Sequence, residues 1–201
     1  MSLRGELLEG ASFLWRHPVL RALTLLLSAF IFLTHGLDDV LIYHVRLNLD
    51  GTDSTVGLVL SVAAAGTLLG SLTVAPLRRR LGFGATWSGS VALAGVAVAV
   101  LGSARTVPVV AALAAGYLGA VAVGAICSLS LRQEVTPNRL LGRVTSVFWA
   151  THYALGPAGA AVVTWGAELY GVPLVCLLAG GGIILLALAG LATPVRHACP
   201  G

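Results

Sequence analysis

VPLVCLLAGGGIILLALAGLA, residues 172–192, runs for 21 positions without a charged side chain. At about 1.5 Å of helical rise per residue it is long enough for the ~30 Å hydrocarbon layer of a bilayer. Working back toward the N-terminus, five more apolar stretches appear at about 22–43, 56–77, 83–102, 107–131 and 144–167, separated by short polar segments. Strands of a membrane barrel would need only about 9–11 residues of alternating polarity, which is not this pattern. Since backbone polar groups in hydrocarbon are satisfied only within helices or closed barrels, the sequence predicts an all-α, polytopic membrane protein of six transmembrane helices.

Composition agrees. Of 201 residues, 57% are hydrophobic and 10% charged, and the mean hydropathy is +0.94. All twelve basic residues are arginine, and their distribution alternates. Arg4, Arg16 and Arg21 precede the first stretch; Arg78, Arg79 and Arg80 follow the second; Arg132, Arg139 and Arg143 follow the fourth; Arg196 follows the sixth. The intervening segments hold only Arg46 and Arg105. By the positive-inside rule, ten against two predicts that both termini are cytoplasmic. The net charge of +4 is then a matter of topology and contact with anionic lipid headgroups, and calls for no nucleic-acid partner. Cys127, Cys176 and Cys199 have neither metal-ligand spacing nor an even count for disulfides.

Residues 1–21 read as a cytoplasmic amphipathic connector. At helical spacing Leu3, Leu7, Leu8, Ala11, Leu14 and Trp15 share one stripe, with Glu6, Glu9, Ser12 and Arg16 opposite, which suits a helix lying in the membrane interface. The third and sixth stretches carry no charge and are expected to face lipid. Residues 193–201 form a short cytoplasmic tail. No serine or cysteine nucleophile has a base at a useful offset, and no P-loop occurs, so neither enzymatic chemistry nor a cofactor is expected.

The most specific segment is RQEVTPNRLLGRV, residues 132–144. It resembles the loop before the penultimate helix of major facilitator superfamily exporters, in the subgroup of the enterobactin exporter and macrolide-efflux proteins. The segment from Glu9 to Arg21 is similar to the connector before the seventh helix of that subgroup. Arg78, Arg79, Arg80 and Gly82 resemble the second-half copy of the family's basic loop motif, with Arg79 standing where that motif usually has an acid. Gly156, Pro157 and Gly159 resemble a helix-bending motif associated with antiporters. The resemblance aligns the six stretches with helices seven to twelve, one bundle of a two-bundle fold. It implies proton-coupled efflux of small, largely apolar molecules such as drugs or siderophores. It also implies an N-terminal six-helix half, supplied upstream in the same gene product, by a separate chain, or by a second copy. The competing expectation is a truncated or partner-binding membrane protein that transports nothing.

Two clusters carry candidate chemistry. His35, Asp38 and Asp39 lie at i, i+3 and i+4, so an imidazole and a carboxylate share one helix face, either as a proton or cation site or as a polar patch at the outer rim. Trp149, His152 and Tyr153 cluster near the expected midplane of the fifth stretch, where transporters place substrates and ions. They suit a planar drug-like ligand, or else packing by hydrogen bonds between helices. Tyr117, Ser128 and Ser130 are possible cavity-lining neighbours. Arg132, Gln133, Pro137, Gly142 and Arg143 belong to the loop motif; Arg132 and Gln133 sit at the cytoplasmic end of the fourth stretch, a cavity-lining helix by the resemblance, and are expected to anchor to headgroups or to a neighbouring bundle.

Overall fold

The computed structural model describes residues 3–197, and side chains from Leu7 to Val195; Cys199 lies outside the described residues, as do the side chains of Arg4 and Arg196. The described chain is helical throughout, with no strand. The all-α membrane class expected from the hydropathy pattern is what the structure has. Four segments are long and apolar enough to cross a membrane: Pro18–Asn48, Asp53–Leu101, Val107–Val135 and Val172–Leu191.

The connector forms α1 (Leu3–Arg16) and stops where His17 becomes the N-cap of α2 (Pro18–Thr34). The His17 ring nitrogen Nδ1 accepts from the Leu20 N–H at 3.4 Å, and Pro18 sits where a missing donor costs nothing. The first stretch is not one helix. It breaks at His35 and Gly36, resumes as α3 (Leu37–Tyr43), and continues in a π-helical turn, His44–Asn48. Buried His44 closes that turn: Asn48 donates to its Nδ1, and its Nε2 meets the Ala104 carbonyl, both at 2.9 Å.

The second and third stretches form α4 (Asp53–Leu101), 49 residues of helix folded back at Gly82. There φ is 77° and ψ 175°, a conformation essentially reserved for glycine. Leu60 and Ala63 from one limb share a pocket with Val98 and Leu101 from the other, so the two limbs run side by side in opposite directions. The basic triplet 78–80 is therefore not a loop but the last helical turn before the fold-back.

Next comes α5 (Val107–Val135), against which both limbs of α4 pack. Gly66 meets the Ala115 backbone and Gly70 the Gly119 backbone so closely that a Cβ on either would overlap a carbonyl oxygen. This is the small-residue seam by which helices associate when lipid removes most of the hydrophobic driving force. The fifth stretch is interrupted in its turn: α6 (Asn138–Ala154) ends at Leu155, and α7 (Gly156–Tyr170) restarts with Pro157 in its first turn. Gly171, at φ 84°, leads into α8 (Val172–Leu191).

The two interruptions face each other. Gly36 lies on the Ala160 backbone, Gly159 on the Phe32 carbonyl, and Gly156 against the His35 ring. Two expectations are corrected. The charge-free third stretch faces outward along one stripe only, with Leu93, Val96 and Val100 exposed, while Trp87, Val91, Ala94 and Val98 are buried between α5 and α8, because small residues such as Gly95 and Gly180 admit α8 closely. The polar side of α1 faces away from the bundle only in part: Ser12 and Arg16 are exposed, Glu9 is not. Gly10 and Leu14 pack on α6, and Glu9 turns with them to reach Arg143 at 2.5 Å and Arg139 at 3.4 Å. Leu7, Leu8 and Trp15 are left exposed.

Candidate functional site: an apolar cavity with buried polar groups

Four rods line a partly open cavity of about 290 Å³. Leu27, Phe30 and Ile31 come from α2; Trp87, Val91 and Ala94 from the second limb of α4; Ser128 and Arg132 from α5; Phe148, Trp149, His152 and Tyr153 from α6. Its size is near the lower end for drug-sized ligand sites, about 300–1,000 Å³.

The α6 wall follows from helical spacing. Phe148, Trp149, His152 and Tyr153 occupy i, i+1, i+4 and i+5, so two neighbouring rows of rings line the cavity, one facing the bundle interior and one its rim. His152 stacks on Phe148 at 5.3 Å with planes 19° apart, and Trp149 stacks on Tyr153 at 5.4 Å and 17°. Phe148 and His152 are buried, whereas Trp149 and Tyr153 are exposed.

Arg132 is where the structure departs most from the sequence reading. It is not a headgroup anchor: it stands in the last turn of α5, 2% exposed, with Cζ 3.6 Å from the Phe148 ring centroid and 5.3 Å from that of Trp149. Helical register explains this. Cys127, Ser128 and Leu131 are buried on the same side, whereas Gln133, one residue on, turns outward and is exposed. Cation–π contact of this kind holds a guanidinium in an apolar wall without a carboxylate.

Of the other expected residues, His35 reaches the edge of the site, its ring 6.1 Å from that of Tyr153. Asp38 does not; it lines a separate, smaller pocket with Tyr117, and Asp39 is exposed. Ser128 is in the cavity wall, while Ser130 is not among its lining residues. Arg78 donates to both carboxylate oxygens of Glu134, at 3.2 and 3.3 Å, so α5 supplies an acid beside the basic triplet. Arg79 and Arg80 are exposed. Pro137 is the N-cap of α6, Gly142 is exposed, and Arg143 holds α1 through Glu9. Gly156, Pro157 and Gly159 lie at the interruption described above.

Trp87 and Phe148 also belong to the cavity wall, and neither carries a signal in the sequence that marks it as such. A tryptophan in a charge-free stretch looks like a lipid-facing residue until its neighbours are known. Phe148 was legible only as the i−4 partner of His152. Among the described residues no cluster of His, Cys, Asp and Glu suits a metal ion.

No family model matches the sequence. Over 156 residues the chain is 32% identical to the multidrug efflux pump Tap of Mycolicibacterium fortuitum. That alignment takes in 76% of this chain but 37% of the relative, so the chain spans well under half the length of the protein it matches. Together, the apolar helices and this similarity make the protein a multi-pass membrane protein related to an efflux pump.

Proposed function

We propose that the protein forms one six-span bundle, the C-terminal half, of a major facilitator exporter that drives small, largely apolar molecules such as drugs or siderophores out of the cell by proton exchange. The observation that carries this reading is the cavity of about 290 Å³ between α2, α4, α5 and α6, apolar in its walls and lined by Trp149, His152 and Tyr153. The similarity to a multidrug efflux pump supports the same class of cargo. Six crossings result when the two limbs of α4 count separately and α6 with α7 count as one interrupted rod.

The bundle sits in the bacterial inner membrane with both termini cytoplasmic, and a second six-helix half covers one face. The first limb of α4 supports such a partner, since Leu68, Leu69 and Leu72 are all largely exposed. His35, Asp38 and His152 are this half's candidates for proton handling, and the bend at Gly156, Pro157 and Gly159 lets the rod that carries His152 flex.

The test uses everted membrane vesicles from cells making the protein in the length its host makes. With an inside-acid gradient they should accumulate a lipophilic fluorescent drug, and a protonophore should abolish the accumulation. Accumulation equal to that of vesicles lacking the protein would refute transport; accumulation indifferent to the protonophore would refute proton coupling alone.

A further inference from the structure

The polar atoms of the cavity share a property that its apolar walls obscure. Trp87 Nε1, Ser128 Oγ, Arg132 Nε and Nη1, and His152 Nδ1 are all sealed from solvent without a hydrogen-bond partner. All four residues line the one cavity, and each is more than nine-tenths buried. Buried polar groups normally find partners, and four such residues around one cavity leave hydrogen-bonding capacity that a ligand there could satisfy.

Their chemistry says what. The indole N–H and the guanidinium N–H groups can only donate; the serine hydroxyl can donate; the imidazole can donate or accept. A ligand meeting this set presents acceptors. Because Arg132 keeps its positive charge, the best-matched ligand is negative at that point.

Charge accounting within the chain agrees. Among the described residues no carboxylate lies within ion-pair distance of Arg132. The nearest acid along α5, Glu134, is two residues away but is taken by Arg78. Glu9 is held by Arg139 and Arg143, and Asp53 by Arg46. Arg132 therefore rests on aromatic faces rather than on a counter-ion.

We infer that the cavity binds amphipathic organic anions, an aromatic or apolar body between Phe30, Val91 and Trp149 with a carboxylate or equally acidic oxygen group on Arg132, Trp87 and Ser128. This deepens the substrate reading and rests on the cavity being the ligand site. Within that reading it narrows largely apolar cargo to molecules with one acidic end. Arg132 stands one turn from the end of α5, which puts the anionic end of the ligand toward that end of the cavity and its body further in.

The test measures binding of three matched probes, 2-naphthoate, 2-naphthamide and 2-naphthylmethylammonium, to the detergent-solubilised protein in the length its host makes. Quenching of tryptophan emission is the readout, since Trp87 and Trp149 both line the cavity. Naphthoate should bind at least about tenfold more tightly than naphthamide, and the ammonium probe most weakly. Arg132→Gln should reduce the naphthoate preference to near unity and leave naphthamide affinity within about twofold. Trp87→Phe and Ser128→Ala should each weaken naphthoate alone, by a few-fold. These last two variants, with Arg132→Lys, carry the test if Arg132→Gln does not fold.

Equal binding of naphthoate and naphthamide by the unaltered protein would overturn the inference while leaving the cavity as an apolar drug site. That result also covers the case in which a carboxylate from a covering bundle already occupies Arg132. Binding of none of the three probes would overturn both the inference and the cavity's role as the ligand site.

Discussion

Gly180 and Gly181 are neighbours on α8 with opposite surroundings, and substituting each by alanine tests the packing directly. A Cβ on Gly180 would stand 2.5 Å from the Ala99 nitrogen and the Gly95 carbonyl oxygen of α4. Ordinary van der Waals contact begins at 3.4 Å, so α8 and the second limb of α4 must separate by about 0.9 Å. The obstruction is backbone, which cannot rotate aside as a side chain can. Overpacking of this kind costs roughly 1–3 kcal/mol. At Gly181 a Cβ meets nothing within 4 Å. Both substitutions gain the same helix propensity, roughly 1 kcal/mol over glycine, so the difference between them isolates the steric cost. Gly180→Ala should be less stable than Gly181→Ala by about 1–3 kcal/mol, roughly a 5- to 150-fold difference in folding equilibrium. Equilibrium unfolding in mixed micelles, titrated with SDS and followed by circular dichroism, measures it. Equal midpoints for the two variants would refute the close approach of α4 and α8.

At Gly82 the conformation is closed to other residues, so Gly82→Ala should destabilise the fold-back by roughly 1–3 kcal/mol although a Cβ there meets no neighbour. The same unfolding titration checks it, and an unaffected midpoint would show that the turn lies elsewhere. Glu9→Gln removes two partly exposed ion pairs; it should cost about 1 kcal/mol or less and appear as faster hydrogen exchange confined to α1. Burial pushes the His17 pKa below its ordinary value, and its neutral Nδ1 accepts the Leu20 N–H. Because the unfolded chain takes up the proton first, docking of α1 and α2 should weaken as pH falls below about 6.5 and stay constant above it. Exchange rates across residues 10–20 at pH 5 and pH 8 measure this, and His17→Asn should remove the dependence.

Hydropathy located the membrane rods because a charge-free run such as 172–192 has no other stable environment in water or lipid. It did not place the interruptions at His35 and Leu155. An apolar sequence stays apolar across a break; the motif at Gly156, Pro157 and Gly159 signalled the second interruption, whereas the first had no signal beyond Gly36. The α6 wall was legible because Trp149, His152 and Tyr153 recur at helical spacing on one element. Arg132 was misread because its charge near the end of a stretch counts toward topology wherever its side chain points. Register relative to Cys127 and Leu131 decides that it turns inward, and register needs the neighbouring helices. Trp87 is the same problem in reverse: nothing along its own stretch distinguishes a lipid-facing indole from one buried against α5.

The facing interruptions have a mechanical consequence. Two rods that each break where they cross amount to four half-rods on a shared joint. If the α2–α3 rod bent alone, Gly159 would lift from the Phe32 carbonyl or Ala160 would be driven into Gly36, so the cheap deformation is the one in which both rods bend together. One side of that joint is His35, and Tyr153 of the cavity wall stands 6.1 Å from it, two residues before the other break. Tyr153 thus ties the wall of the cavity to the crossing of the two rods.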